Sequence, residues 1–425
     1  MQELTTIILA SSEGTDMKSA KPLYAHEICG QAMISYVVEA GFRASLDSLV
    51  VALNNSTDGI EALLPDSSII AHQGEAVSTG NAISLVKSNI EKNPDRTILL
   101  LPGNYPAIKG ETLTAAFEFH ISKGNMVTVI STPTGSLSDI CFINAEAILQ
   151  LFDLEIIGKD INELNITDIL KIYFKKGVKL SSYTTSQPEE LIMVNNRQSL
   201  NEAEQVIQKR IINKHMENGV TFHFPSTCLI HPKAQIGMDT EIYQGTIIKG
   251  ESIIGQGCSI GPNSMIENSI LGNDVSAINA VILQSQVGNS TNIGPFAYIR
   301  PGSKIGDHIK IGDFVEIKNS VIGNNSKVPH LSYIGDSDIG KGVNIGCGSI
   351  TVNYDGKKKH RTVVEDNAFI GCNVNLVSPV LVKKNAFVGA GSTITKEVPE
   401  YSLAIARSSQ TIIADWVKKK GLDKK

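Results

Sequence analysis

The sequence predicts two domains joined by a helix: an α/β domain with a parallel sheet of nucleotide-binding type, followed by a parallel β-helix. Three observations carry this expectation. Up to about residue 198, short β-branched runs alternate with amphipathic stretches; a helix-start signal follows; and beyond Gly219 aliphatic residues recur at every sixth position. A chain of 425 residues is also too long for one ordinary core, so two domains are the natural division.

In the first half, strands are expected at Thr6–Leu9, Leu49–Leu53, Thr97–Leu101 and Val127–Ile130. Runs apolar on both faces and separated by helices argue for a parallel sheet covered on both sides. Next, Ser199-Leu200-Asn201-Glu202 has the form of a capping box, with Val206, Ile207, Ile211 and Ile212 at helical spacing before Gly219. The expected domains are therefore 1–198, a linker helix 199–219, a β-helix 220–404 and a tail 405–425.

The six-residue beat runs through Ile236, Ile242, Ile248, Ile254, Ile260 and Ile266, and resumes at Val287, Ile293, Ile299, Ile305, Ile311 and Ile317. It shifts phase to Ile322, Val328 and Ile334, then Ile339 and Ile345, and after an interruption returns at Ile370, Leu376, Val382, Val388 and Ile394. Six is neither the helical 3.6 nor the strand period of two. Each hexad must contain a turn that restores the aliphatic side chain to the same inward direction, and three hexads then close one coil. Gly, Asn and Asp supply the corners that need positive φ.

Composition narrows the function. A net charge of −5 speaks against nucleic acid as the main partner. The opening stretch Met1–Ala10 has no secretory pattern, and no apolar run approaches bilayer length, so a cytoplasmic location without membrane insertion is expected. Cys29, Cys141, Cys228, Cys258, Cys347 and Cys372 are dispersed with no C-x-x-C pair, which predicts reduced thiols, neither a zinc knot nor a disulfide framework.

Polar residues gather where the repeat breaks. The interruption between Ser349 and Glu365 holds Asn353-Tyr354-Asp355-Gly356-Lys357-Lys358-Lys359-His360-Arg361, and a long polar loop leaving a regular solenoid is a typical place for a ligand. Arg300 and Lys318 lie eighteen positions apart, one full coil, so they should stack as a phosphate clamp.

From Arg300 to Arg407 the motifs I-R-P-G, F-V-E-I-K, H-L-S-Y-I-G-D, V-N-I-G-x-G, N-Y-D-G and L-A-I-A-R stand in order. In these the chain resembles the bifunctional N-acetylglucosamine-1-phosphate uridyltransferase and glucosamine-1-phosphate N-acetyltransferase family, and the resemblance extends over the whole chain. It implies a nucleotidyltransferase-like (Rossmann-like) first domain, a left-handed β-helix and a homotrimer. It also implies acetyl transfer from acetyl-CoA to the amine of glucosamine 1-phosphate. By that resemblance His330 is the general base, Arg300 and Lys318 hold the sugar phosphate, and Tyr333 and Asn344 meet the sugar. Coenzyme A meets Cys347, Asn353, Tyr354, Cys372, Ala390 and Arg407. The chemistry agrees, because an ammonium cannot attack a thioester and histidine is the side chain poised near neutral pH to take its proton. A lone histidine is more often structural; the clamp and sugar motif around this one point to catalysis. Cys347 stands where the family commonly has alanine, and Cys372 where it has serine.

The first half departs from the family pattern. Its nucleotide loop reads Leu9-Ala10-Ser11-Ser12-Glu13-Gly14-Thr15-Asp16-Met17, with Ser12 for a glycine and Asp16 for an arginine. Leu23 stands for a lysine after Pro22, Asn104 for the Mg²⁺-binding aspartate, and Asn195 marks the second metal position. Gln73 and Ser78-Thr79-Gly80 retain part of the uracil-side pattern, while the sugar-binding excursion shrinks to Thr132–Ser136 before Ile140-Cys141. A neutral amide is a poor Mg²⁺ ligand, so uridylyl transfer is expected to be lost and Mg²⁺ to matter only if this half is active. The alternatives are a fully bifunctional enzyme, with release of pyrophosphate from UTP as its signature, or a non-catalytic nucleotide- or sugar-binding scaffold. A γ-type carbonic anhydrase shares the hexads but needs three histidines on a metal, which this β-helix lacks.

Overall fold

The computed structural model describes residues 3–12, 14–44, 48–53, 59–74, 78–152 and 160–423. It separates into two compact units, Met1–Arg210 and Ile211–Lys425. The division falls inside the helix Arg197–Glu217, between the expected borders at 198 and 219.

The first unit is built on a seven-stranded sheet, in the order 69–72, 48–53, 4–10, 97–102, 137–144, 127–131, 180–184. The four expected strands lie within Leu4–Ala10, Ser48–Leu53, Thr97–Pro102 and Val127–Ser131. The sheet is not wholly parallel: Leu137–Asn144 runs antiparallel to both neighbours. It does so because Thr132–Ser136 closes a tight hairpin, the Thr132 amide donating to the Ser136 carbonyl at 2.9 Å. The shortened excursion is therefore the turn that reverses a strand, and it leaves Cys141 fully buried in the core beside Leu100 and Val129.

The helix Arg197–Glu217 starts earlier than expected. Its cap is Asn196, whose side-chain oxygen accepts from the Ser199 amide at 3.0 Å, while Ser199 Oγ accepts from the Asn196 amide at 3.2 Å. Ser199 thus closes a capping box from inside the first turn instead of opening one. Gly219, at φ 88, ends the helix as its sequence position suggests.

The second unit is a parallel β-helix of three sheets with 11, 10 and 9 strands. Strands pair in register with the one a coil later, and most place one aliphatic residue in the interior: Ile299, Ile317 and Ile334 form one such stack. Between Ile266 and Val287, where no six-residue beat is visible, the inward residues are Leu271, Ala277 and Ile282, so the beat continues with three steps of five residues and one of six. At the interruption an inward aliphatic residue gives way to Thr351, whose buried hydroxyl accepts from the Gly335 amide at 2.7 Å and donates to the Gly335 carbonyl at 3.1 Å. A polar side chain is tolerated there because both hydrogen bonds are made.

Coils approach too closely for some side chains. A Cβ at Gly312 would lie 1.8 Å from the Pro329 carbonyl oxygen, so only glycine lets the coil bearing Asp313 settle on the coil bearing His330. Ile317, fully buried and stacked between Ile299 and Ile334, is the residue whose truncation tests this core. Ile317→Ala is expected to destabilise the β-helix by roughly 2–5 kcal/mol through lost burial and a cavity, read as a lower urea midpoint for the transition of this unit; an unchanged midpoint contradicts the packing.

Candidate active site on the β-helix

Successive coils repeat one tight turn at the corner between two sheets. In the parallel pairing of these strands Asp313 faces His330, and Lys327 faces Asn344, which carries the alignment on to His330 beside Cys347. Ile345 pairs with Ile370 and Ile370 with Val388, which places Cys347, Cys372 and Ala390 one above another. Each of these five residues is followed by one with left-handed backbone: Phe314, Leu331, Gly348, Asn373 and Gly391. Asp313, His330, Cys347, Cys372 and Ala390 thus occupy the same slot of the same turn, forming one column. Phe314 at φ 56 and Leu331 at φ 45 are uncommon in that conformation, and they follow directly on Asp313 and His330.

His330 Nδ1 lies 2.5 Å from Asp313 Oδ1, with both side chains partly exposed. The hydrogen bond from the imidazole holds the Asp313 carboxyl below the usual aspartate range. An ionised Asp313 accepts only, so in the neutral ring this contact selects the tautomer with the proton on Nδ1 and the lone pair on Nε2. Nothing in the sequence spacing singled out Asp313; the register of two coils reveals it.

On the sheet beside the column, Arg300 and Lys318 follow Ile299 and Ile317, which pair in register, so the two cations stack as expected. Neither is idle. Arg300 Nη1 donates to Glu316 Oε1 at 2.8 Å, and its guanidinium sits 5.9 Å from the centre of the Tyr298 ring. Lys318 Nζ lies 3.8 Å from Asp336 Oδ2. The hydroxyl of Ser303 fixes the strand end by donating to the Arg300 carbonyl at 2.7 Å.

Asp336 is the buried hub of this side. Its oxygens accept from Asn319 Nδ2 and Asn353 Nδ2, each at 2.6 Å. Burial works against its charge, but these two amides and the Lys318 and Lys359 ammonium groups outweigh that and hold its pKa below the ordinary aspartate value. Asn353 also reaches toward Tyr333 Oη at 3.4 Å, so Tyr333, Asn353 and Lys318 share one anchored cluster. Lys359 joins it: Lys318 beside it pushes its ammonium pKa down, with Asp336 acting in the opposite sense. Lys359 was legible only as part of a lysine run; the folded loop returns it to the clamp.

Internal contacts order the loop. Asp355 accepts from the Lys357 and Lys358 amides at 2.7 Å each and meets His360 Nε2 at 2.7 Å, which drives its carboxyl pKa far down. Arg361 forks onto both carboxylate oxygens of Asp338 and donates to the Ser337 carbonyl at 3.0 Å, tying the loop to the solenoid. Tyr354 stays exposed, its hydroxyl donating to the Gly356 carbonyl at 2.8 Å. Asn344 stands on the neighbouring sheet, between Lys327 and Phe369. Arg407 Nη1 donates to the Ala390 carbonyl at 2.7 Å, closing the far end of the column.

In the first unit the two residues at the expected metal positions meet each other. Asn104 is buried and its Nδ2 donates to Asn195 Oδ1 at 2.8 Å and to the Val194 carbonyl at 3.2 Å. The two residues at the expected metal positions therefore satisfy each other, with no carboxylate in the pair, and this donor set does not fit Mg²⁺. Among the described residues no group of three or more His, Cys, Asp or Glu is placed to hold a metal. Leu23 is buried where the resemblance expects a lysine, Asp16 is exposed, and the Ser12 amide donates to Tyr24 Oη at 3.1 Å; Glu13 lies outside the described residues. Gln73 is buried and donates to the Ser78 carbonyl at 2.7 Å. Among the described residues no helix is long and apolar enough to cross a membrane.

The family model for bacterial transferase hexapeptide repeats matches residues 284–319 and 361–396. Proteins named "Bifunctional protein GlmU" are similar over nearly the whole chain. The one from Caldanaerobacter subterraneus subsp. tengcongensis is 42% identical, covering 99% of each chain. Those from Acetivibrio thermocellus and Clostridioides difficile strain 630 are each 40% identical, covering 99% and 97% of each chain respectively.

Replacing Arg361 by alanine removes the fork that ties the loop down. Amide hydrogen exchange across residues 353–360 is expected to rise by about tenfold, the signature of a local opening eased by roughly 1.4 kcal/mol, with the preceding coils unchanged. Equal exchange in both proteins contradicts the anchoring role.

Proposed function

The chain belongs to the family of the bifunctional GlmU proteins, and we propose that it transfers the acetyl group of acetyl-CoA to the amine of glucosamine 1-phosphate at the β-helix. The observation that carries this reading is the column itself. It sets His330, fixed by Asp313, in line with Cys347, Cys372 and Ala390, the positions that resemblance assigns to coenzyme A.

In this reading Arg300 and Lys318, with Lys359 beside them, take the phosphate, while Tyr333 and Asn344 orient the sugar. His330 Nε2 removes one proton from the ammonium; the freed amine attacks the thioester carbonyl and the C–S bond breaks. The departing CoA thiolate takes up the second proton released as the amide forms, and the imidazolium returns its proton to solvent. Asp313 holds the imidazole in the required tautomer and steadies the imidazolium that forms. Coenzyme A lies along the turns of Cys347, Cys372 and Ala390, with Asn353, Tyr354 and Arg407 at its flanks. A homotrimer in the cytoplasm completes the proposal, the groove between neighbouring β-helices holding acetyl-CoA.

A second activity has its own support. The similarity to proteins named bifunctional spans both units, which favours an enzyme that also makes UDP-N-acetylglucosamine from UTP and N-acetylglucosamine 1-phosphate over one that has lost this step. The Asn104–Asn195 pair and buried Leu23 weigh the other way. Pyrophosphate release with UTP, Mg²⁺ and N-acetylglucosamine 1-phosphate, assayed beside CoA thiol release, separates the two: both signals establish bifunctionality, and thiol release alone establishes a single-function acetyltransferase.

For the acetyl step, His330→Ala is expected to lower turnover by roughly 100-fold or more with little change in acetyl-CoA affinity, measured as CoA thiol release and by calorimetry. Asp313→Ala is expected to lower turnover by about tenfold, a barrier rise of ~1.4 kcal/mol. An unchanged rate in His330→Ala removes His330 as the base.

A further inference from the structure

The dispersed cysteines conceal a pair. Cys347 and Cys372 are 25 residues apart, so their spacing fits no single coil of the six-residue beat, but the loop inserted between them makes up the difference. Ile345-Gly346-Cys347-Gly348 and Ile370-Gly371-Cys372-Asn373 are the same turn in successive coils, in register at Ile345 and Ile370, each with a left-handed fourth residue. The Asn373 amide donates to the Cys347 carbonyl at 2.7 Å, and a Cβ placed on Gly346 would lie 2.5 Å from the Cys372 amide nitrogen. Neighbouring strands of a sheet lie about 4.8 Å apart, inside the Cα separation of roughly 4.4–6.8 Å that a disulfide bridges.

Exposure separates this pair from the other thiols. Cys372 is exposed and Cys347 half-buried, whereas Cys29, Cys141, Cys228 and Cys258 are buried. Burial raises the pKa of all four, that of Cys29 to about 12, and keeps them protonated. A soluble disulfide therefore meets Cys372 first.

We propose that Cys347 and Cys372 form a redox-active dithiol on the coenzyme A side of the site, modified by a low-molecular-weight disulfide of which CoA disulfide is the fitting member. The choice of CoA disulfide rests on the acetyl-CoA reading above; the pairing of the thiols rests on the register alone. The Cys372 thiolate attacks one sulfur of CoA disulfide, forming a Cys372–CoA mixed disulfide and expelling a CoA thiolate. The Cys347 thiolate then attacks the Cys372 sulfur, closing the Cys347–Cys372 bond and expelling the second CoA thiolate. The protein loses two electrons, CoA disulfide gains them, and the two protons of the protein thiols end on two CoA thiols. The bond cross-links the strip that acetyl-CoA would occupy, so acetyl transfer stops until a thiol reductant restores it.

The test incubates the full chain with CoA disulfide and maps non-reduced peptides by mass spectrometry beside thiol-release assays. The unmodified sequence is expected to end with a Cys347–Cys372 cross-link and to lose acetyl transfer by about tenfold or more, recovered with dithiothreitol. Cys347→Ser is expected to stop at one CoA held on Cys372, and Cys347→Ala serves should the serine variant fold poorly. No cross-link, or a CoA on each cysteine with no bond between them, overturns the proposal. A chain that forms the cross-link yet never releases CoA from acetyl-CoA leaves the dithiol standing and overturns the acetyl-transfer reading instead.

Discussion

The β-helix half depends on one constraint: in-register hydrogen bonding between successive parallel coils. Each strand donates to and accepts from the coils above and below, so the inward aliphatic residues stack into a single core and each corner slot becomes a column. A slip of one residue would turn Ile299, Ile317 and Ile334 outward and bring Tyr298, Glu316 and Tyr333 into the core. The apolar core thereby fixes the position of polar residues that contribute nothing to it. Asp313 stands on His330, Arg300 on Lys318, and Cys347 on Cys372 because the inward aliphatic residues one or two positions before them are locked.

Residues that take part in this repeat were legible in the sequence, and those that act across it were not. The hexads gave the solenoid and the stacking of Arg300 on Lys318, since eighteen residues is one regular coil. Coils shortened by five-residue steps hid the inward Leu271, Ala277 and Ile282. An inserted loop hid the approach of Cys347 to Cys372, and only its folded path returns Lys359 to Lys318. Asp336 read as one letter of a motif; its burial and its two amide donors make it the hub between Lys318 and Asn353. At Asn196 and Ser199 two residues can each cap a helix, and local spacing alone cannot choose between them.

The two halves treat polar groups in different ways. On the β-helix Arg300 is paired with Glu316 at the surface, where in the proposed reading a phosphate would exchange for the carboxylate at modest desolvation cost, while Lys318 lies beside the buried Asp336, which two amides also hold. In the α/β half, Asn104 and Asn195 are joined by a half-buried amide hydrogen bond, and opening it for a cation would leave a donor of the buried Asn104 unsatisfied. The same chain thus carries one site with charge held ready and one whose corresponding positions are satisfied internally.

A crystal structure with coenzyme A and glucosamine 1-phosphate bound tests the central claim most directly. In the proposed reading the CoA sulfur lies beside His330 Nε2 and the pantetheine runs along the turns of Cys347, Cys372 and Ala390, with the sugar phosphate between Arg300 and Lys318. Coenzyme A bound off this column, or a sugar amine out of reach of His330, would contradict it.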